Sequence, residues 1–252
     1  MVDEGRVKSA DRTLEVLEAL ADSPERRGLT DLSQELGIPK SSLHAILRTM
    51  VARGWVEAGP DGSPFGLGLR ALRAGAAYLE SDETVSLVAT LLDELAQEFG
   101  ETVHLGRLDG ADIVYLAKRD SIHPLRLFSA IGRRLPAHAT ALGKALLAQR
   151  SQAEVDRILI EPLRRLTPRT ITTRAQLRAE LTATRGRGYA IEREENSEGI
   201  ACFAVALPLD SPDAVSLSLP ISRLSRDLEP RIVAALQRLG DRVGAYRPYV
   251  VS

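Results

Sequence analysis

The sequence predicts a two-part α+β chain: three short helices closed by a two-stranded ribbon, then a larger domain with one mostly antiparallel sheet and helices packed on it. Three observations predict this. Residues 29–54, LTDLSQELGIPKSSLHAILRTMVARG, read as two helices meeting at a sharp corner. A segment dense in Gly and Pro at 59–64 then separates two short strand-like runs. Beyond Gly100, strand-like runs come in two groups, with helical runs between and after them.

Taken in order, residues 1–8 read as an arm outside any element. Ser9 can cap a first helix in which Ala10, Leu14, Leu17, Leu20 and Ala21 keep the helical period, ending near Ser23-Pro24 because proline disfavours helix in the residue before it. Thr30 is the expected N-cap of the second helix, with Leu32 and Leu36 one turn apart. Gly37 supplies a left-handed stop, and Pro39 fits the first position of the third helix. That helix carries Leu43, Ile46, Leu47, Met50 and Val51 on a stripe suited to a small core. Trp55-Val56-Glu57 and Phe65-Gly66-Leu67 flank the turn segment as a two-stranded wing. The first unit, 1–68, is thus a winged helix-turn-helix.

A helix at 69–80, with Leu69, Leu72, Ala76 and Leu79 apolar, reads as a linker, and Ser81-Asp82-Glu83 caps the next helix, running to Phe99 with Leu87, Leu91, Leu92, Leu95 and Phe99 on its apolar face. The second domain, 81–252, then offers strands at 102–108 and 111–117 around an Asp109-Gly110 hairpin turn, and a third at 125–129. Helices are expected at 139–149, 151–159 and 174–185, strands at 189–194, 199–208 and 214–219, and a last helix at 228–245.

On the third helix, Ser41, Ala45, Arg48 and Ala52 lie opposite the apolar stripe, flanked by Ser42 and Thr49. Small residues, hydroxyls and one arginine suit a helix in a DNA major groove: small side chains allow close approach and Arg48 can read guanine through a bidentate bond. Lys40, Ser41, Ser42, His44, Ala45, Arg48 and Thr49 are the candidate contacts. The same face also suits water, and a winged module can bind protein instead of DNA. The formal net charge of -1 is no nucleic-acid signature, although a regulator can gather its positive charge on one face. Arg70 and Arg73, just past the wing, fit either phosphate contact or a solvated surface.

The composition, 44% hydrophobic and 27% charged, is that of an ordinary globular protein able to bury a sizeable core. A lone cysteine, Cys202, excludes an intrachain disulfide and fits a reducing cytoplasm. The charged N-terminus has no apolar core to make a secretion signal, and no apolar run approaches the ~20 residues that cross a bilayer. His44, His104, His123 and His138 are scattered without metal-ligand spacing, so no metal or cofactor is expected. No GxSxG elbow is present, and Gly143-Lys144 lacks the other residues of a phosphate loop. An enzyme using His138 or Cys202 is the alternative from another class. The run Glu192-Arg193-Glu194-Glu195 reads as a solvated strand end.

Two segments look organised around a ligand. In 133–144 a strand ends at proline and a helix starts among small residues, a natural anion site. Gly199-Ile200-Ala201-Cys202 opens a strand, and Ser216 and Ser218 share one face of another. The stretches RRLPAHATALGKALLA (133–148), SSLHAILRTMVARGWVE (41–57), VHLGRLDGADIVYLAK (103–118) and EREENSEGIACFAVAL (192–207) carry a family likeness. The chain resembles the IclR family of bacterial transcription regulators almost end to end. The resemblance implies a GAF-like effector-binding and oligomerisation domain at 81–252, and a homodimer or homotetramer on a palindromic operator of double-stranded DNA. It further implies a pocket for a small-molecule effector formed by Thr140, Ala141, Leu142, Glu192, Cys202, Ser216 and Ser218, with small carboxylates, sugar acids and aromatic acids as the usual ligands. Where the family often has glycine after the second serine, this chain has Leu219, expected to narrow or reshape that side. The expected whole is a cytoplasmic, effector-controlled repressor of a catabolic operon, with activation as the open variant.

Overall fold

The computed structural model describes residues 7–23, 25–125 and 129–246, and the chain divides into two compact units, Met1–Ser81 and Asp82–Ser252. The first unit contains α1 (Lys8–Ala21), α2 (Leu29–Leu36), α3 (Lys40–Ala52), β1 (Val56–Ala58), β2 (Phe65–Leu67) and α4 (Leu69–Ser81). Its core joins Val16, Ala19 and Leu20 of α1 to Leu32, Ile38, Leu43, Leu47, Met50, Val56 and Phe65. Gly37 takes the expected left-handed conformation, φ 62°, and the corner it makes is tied by the Ser33 hydroxyl donating to the Ile38 carbonyl, 2.7 Å away. The wing pairs Val56 with Leu67, and the Arg27 backbone bridges Phe65 as a short third rung.

Several local expectations are corrected. Helix α1 starts one residue before Ser9, with Val7 as its N-cap, and buries Val16, Ala19 and Leu20, whereas Ala10, Leu14 and Ala21 are exposed. Leu20 fits both possible apolar stripes, and packing selects the one that includes Val16. The N-cap of α2 is Gly28, not Thr30, and Pro39 sits at the N-cap of α3 instead of inside its first turn. Val51 is exposed, because the stripe centred on Leu43, Leu47 and Met50 already fills the contact with α1 and α2. The first strand of the wing begins at Val56, not Trp55. The linker helix α4 buries none of its residues within this unit, so Leu69, Leu72 and Tyr78 stand exposed. The arm expected at 1–8 falls mostly outside the described residues, as does Pro24.

The second unit comprises α5 (Glu83–Phe99), β3 (Thr102–Asp109), β4 (Asp112–Arg119), β5 (Arg134–Pro136), a 3-10 turn (Ala137–Ala139), α6 (Ala141–Ala148), α7 (Gln152–Ile158), α8 (Arg174–Arg187), β6 (Ala190–Arg193), β7 (Ile200–Ala206), β8 (Asp213–Pro220) and α9 (Leu228–Ala245). Its sheet has the order β5-β4-β3-β8-β7-β6 with every pair antiparallel. Helix α6 packs on β6, β7 and β8, with α8 behind it, and their core takes Ala190, Ala204 and Ala214 from the sheet. Small residues on that face let α6 approach closely. The residues alternating with them, such as Phe203, Val215 and Leu217, point to the other face, where α5 and α9 pack.

Asp82 is the N-cap of α5, its carboxylate accepting from the Val85 N–H at 3.0 Å. The same carboxylate and that of Asp213 clasp Arg107 on β3, at 2.7 Å each, which fixes the start of the unit to the sheet. The buried face of α5 is Thr84, Val88, Leu91, Leu92 and Leu95, with Leu87 and Phe99 only partly covered. The strand expected at 125–129 is not found at its described ends, Leu125 and Ser129, and residues 126–128 lie outside the described residues. The partner of β4 is β5 instead, where Arg134 and Leu135 pair with Val114 and Ile113. Among the described residues no helix is long and apolar enough to cross a membrane.

Candidate functional site

In the first unit, α3 presents Lys40, Ser41, His44, Ala45, Arg48 and Thr49 to solvent, with Ser42 half-buried. The helix contains no acidic residue, so nothing on it repels a phosphate backbone. Thr49 departs from the expected role of a free hydroxyl. Its Oγ1 donates to the Ala45 carbonyl at 3.0 Å, leaving only acceptor capacity unless that bond breaks.

In the second unit a cavity lies between the start of α6 and the sheet. It is lined by Thr140, Ala141, Leu142, Glu192, Cys202, Ser216 and Ser218, all seven residues singled out in the sequence, together with Tyr115, Asn196, Ser197 and Ile200. Its free volume is about 20 Å³, room for about one water. Leu219 does not line it. Alternation along β8 turns Leu219 away from the face that carries Ser218, so the expected narrowing on that side does not arise.

The wall at α6 is set by backbone. Thr140 is the N-cap, its Oγ1 accepting from the Gly143 N–H at 3.0 Å. Gly143 is there because the 3-10 turn lies against it: a Cβ would stand 2.1 Å from the Ala137 carbonyl oxygen. The first N–H groups of any helix lack partners within it; the Gly143 N–H is taken by Thr140, and Ala141 and Leu142, which carry the two before it, line the cavity. On the sheet side, the rows Glu192–Cys202–Ser218 and Ala204–Ser216 are in register across β6, β7 and β8. The Cys202 thiol donates to Ser218 Oγ at 3.1 Å.

Glu192 corrects the reading of 192–195 as a solvated run. It is 1% exposed, and its Oε1 accepts from the backbone N–H groups of Glu195 and Asn196. Burial pushes its carboxyl up to about 7, against the lowering effect of those hydrogen bonds. Glu195 is also largely covered, its Oε1 2.6 Å from Nζ of Lys144, a fully buried lysine on α6. Burial raises the Glu195 carboxyl as well. The 194–195 turn is held further by Thr167 and Thr170, whose hydroxyls donate to the Glu194 and Glu195 carbonyls at 2.5 and 2.6 Å.

Glu192 gives the protein a pH signature. Its folded value, about 7, lies above the ordinary 4.5, so the native state keeps a proton that the unfolded chain has released. Stability from this group is full below the lower value and declines as pH rises through the upper one. Glu192→Gln keeps the accepting oxygen and cannot ionise. From pH 5 to pH 8 the variant is expected to gain thermal stability relative to the parent, and parallel profiles in the two proteins would refute the assignment.

Tyr115, Asn196, Ser197 and Ile200 were missed by sequence reasoning. Ile200 alternates with Cys202 on β7 and was within reach of the strand period. Tyr115 was not, because a register shift at Leu105/Gly106 turns it toward the cavity. His138 lies outside the lining, its Nε2–H donating to the Arg164 carbonyl at 3.0 Å, and burial raises the Cys202 thiol well above its ordinary range. Neither is poised for nucleophilic chemistry. Among the described residues no group of three or more His, Cys, Asp or Glu is placed to hold a metal ion.

Residues 76–245 match the family model described as bacterial transcriptional regulator IclR C-terminal, and residues 9–60 match the IclR helix-turn-helix domain. The chain is 36% identical over 249 residues to the HTH-type transcriptional regulator KdgR of Escherichia coli (strain K12), covering 96% of this chain and 94% of that one. It is 34% identical over 229 residues to the transcriptional repressor IclR of the same organism, covering 88% and 84%. The crystal structure of an IclR transcriptional regulator from Alicyclobacillus acidocaldarius shares the fold with a TM-score of 0.84 at 24% identity, over 96% of this chain and 100% of that one. These relatives are regulators of transcription, not enzymes. The chain belongs to the IclR family of bacterial transcriptional regulators.

Proposed function

We propose that this regulator is a repressor of a catabolic operon, released from or fixed on a palindromic operator by a small carboxylate held in the cavity of the second unit. The observation that carries the DNA half of this reading is the exposed, acid-free face of α3, opposite the buried Leu43, Leu47 and Met50. Lys40 and Ser41 reach phosphate at the start of the helix, and Arg48 reaches a base edge. The effector half rests on the cavity itself, where a helix start, two serines and the Glu192 carboxyl converge. A carboxylate accepts from the α6 N–H groups, and the protonated form of Glu192 can donate to it.

A homodimer or homotetramer completes the reading. The exposed Leu69, Leu72 and Tyr78 of α4 supply an apolar surface for a second copy. Two-fold symmetry then places two copies of α3 on half-sites about 34 Å apart or a multiple of it.

The experiment is fluorescence anisotropy with the full chain and the DNA upstream of its own gene, at several salt concentrations. Affinity should fall steeply with added salt. Arg48→Ala is expected to weaken specific binding by about 1–3 kcal/mol, roughly 5- to 150-fold. An unchanged affinity in that variant would remove Arg48 from the interface, and salt-independent binding would favour a protein partner for the winged unit.

A further inference from the structure

The register of the sheet continues the cavity's polar rows beyond β8. Ser218 pairs with Thr102 on β3, and Ser216 pairs with His104, which in turn pairs with Lys118 on β4. Directly paired residues of an antiparallel sheet carry their side chains on the same face, with Cβ atoms about 4.5–5.5 Å apart. Thr102 and His104 therefore stand beside the two serines on the cavity side of the sheet.

Both residues are buried, at 1% and 0% exposure. Among the described residues, Thr102 Oγ1 and His104 Nδ1 are buried side-chain atoms with no hydrogen-bond partner. A third such atom, Glu195 Oε2, belongs to a carboxylate already engaged by Lys144. Buried polar groups are nearly always paired, so two orphans on alternate rungs, each paired with a serine that lines the cavity, call for a partner. The His104 ring is not free to turn away. Its Nε2 lies 2.8 Å from Ser129 Oγ, and its face stacks on Tyr115, a cavity-lining residue, with ring centroids 4.2 Å apart. Burial and the nearby Lys118 charge hold the imidazole uncharged down to about pH 3.

The chemistry of the missing partner follows. A threonine hydroxyl donates and accepts, while Nδ1 of a neutral imidazole does one or the other according to its tautomer. Neither carries charge. Lys118 is engaged by Asp120 and by the Ser129 carbonyl, so a second anionic group would find no free cation there. An alcohol satisfies both atoms, whichever tautomer is present.

We propose that the effector site extends past Ser216 and Ser218 onto β3, where Thr102 and His104 select carboxylates that carry hydroxyl groups over their deoxy counterparts. This rests on the effector reading of the cavity given above. The test is isothermal titration calorimetry of the full chain with carbon-matched acids: glycerate against propionate, and gluconate against hexanoate. The parent protein should bind at least one hydroxylated acid about tenfold or more tightly than its deoxy partner. Thr102→Val and His104→Phe should each shrink that gap to about threefold or less, while the deoxy acid keeps its affinity.

Folding is controlled separately. Thr102→Val removes a hydroxyl without a partner, so the unliganded variant should melt no lower than the parent. The His104→Phe change also loses the bond to Ser129, which makes Thr102→Val the cleaner variant. A preference for the hydroxylated acid that survives in both variants overturns this inference and leaves the effector reading standing. So does a parent that binds the deoxy acids better. Failure of every acid to bind the parent overturns the effector reading, and this inference with it.

Discussion

Replacing Lys144 with methionine is expected to destabilise the protein by about 3–5 kcal/mol, the usual loss when one partner of a buried ion pair is removed. The lysine side chain is 1% exposed, with Nζ 2.6 Å from Glu195 and 3.5 Å from Glu180. Methionine matches its length and apolar stem, so the loss is electrostatic and not one of volume. It leaves Glu195 covered, with both carboxylate oxygens then short of a partner. The carboxyl can escape by taking up a proton, and burial already raises it in the parent. The penalty should accordingly be smaller at pH 5 than at pH 8. Pairing the change with Glu195→Gln removes the stranded charge, and the double variant should recover most of the loss. Urea unfolding followed by circular dichroism at both pH values gives the three comparisons. A single variant within about 1 kcal/mol of the parent, or a double variant no better than the single, would end the argument.

Gly143→Ala has the next largest expected effect, and two opposing terms decide its sign. Alanine is the better helix former by about 1 kcal/mol in a helix interior. Against that, its Cβ would lie 2.1 Å from the Ala137 oxygen, 2.4 Å from the Ala137 Cα and 2.5 Å from the Ala137 carbonyl carbon. All three are backbone atoms, so no rotamer change relieves the clash. Helix α6 has to lift off the 3-10 turn, taking the Thr140 cap with it. Overpacking of this kind costs about 1–3 kcal/mol and occasionally more. We expect the top of that range, and after the gain in helix propensity a net loss of about 2 kcal/mol. Gly106→Ala is the internal control, because its Cβ would meet two side-chain methyls, Ile113 Cγ2 and Leu142 Cδ1, at 2.8 Å, and no backbone atom closer than 3.5 Å. Thermal melts that rank Gly106→Ala as the more damaging would contradict this account.

The contrast between these residues explains what could be read from the sequence. Periodicity located most helices and strands, α9 at both of its ends, because each such segment buries one face and its pattern is local. It failed where two stripes were locally equivalent, as in α1, where only contact with α2 and β2 selects Val16 over Leu14. It failed also at α4, whose apolar residues face nothing within their own unit. The seven expected cavity residues sit together because their segments matched a family pattern and Ser216 and Ser218 obey the strand period. Tyr115, Thr102 and His104 depend on which strands lie side by side and on the shift at Gly106, facts that no local window contains. Glu192 looked like one charge among several. Only the fold places it under the 195–196 turn, where backbone N–H groups, not water, receive it.

The cavity beside α6 holds space for about one water, yet its proposed ligands are several times larger. On the proposed reading, a ligand of that size enters only as the cavity wall moves. If opening comes first, the observed association rate levels off as ligand concentration rises, at the frequency of opening itself. The apparent affinity is then the intrinsic one diluted by the fraction of molecules that stand open. If loosening of the 194–195 turn is what opens the cavity, the concentration at which the regulator responds depends on the grip of Thr167 and Thr170 on that turn as well as on the groups that touch the ligand. Evolution can retune the threshold of a genetic response there, without altering which molecule is sensed.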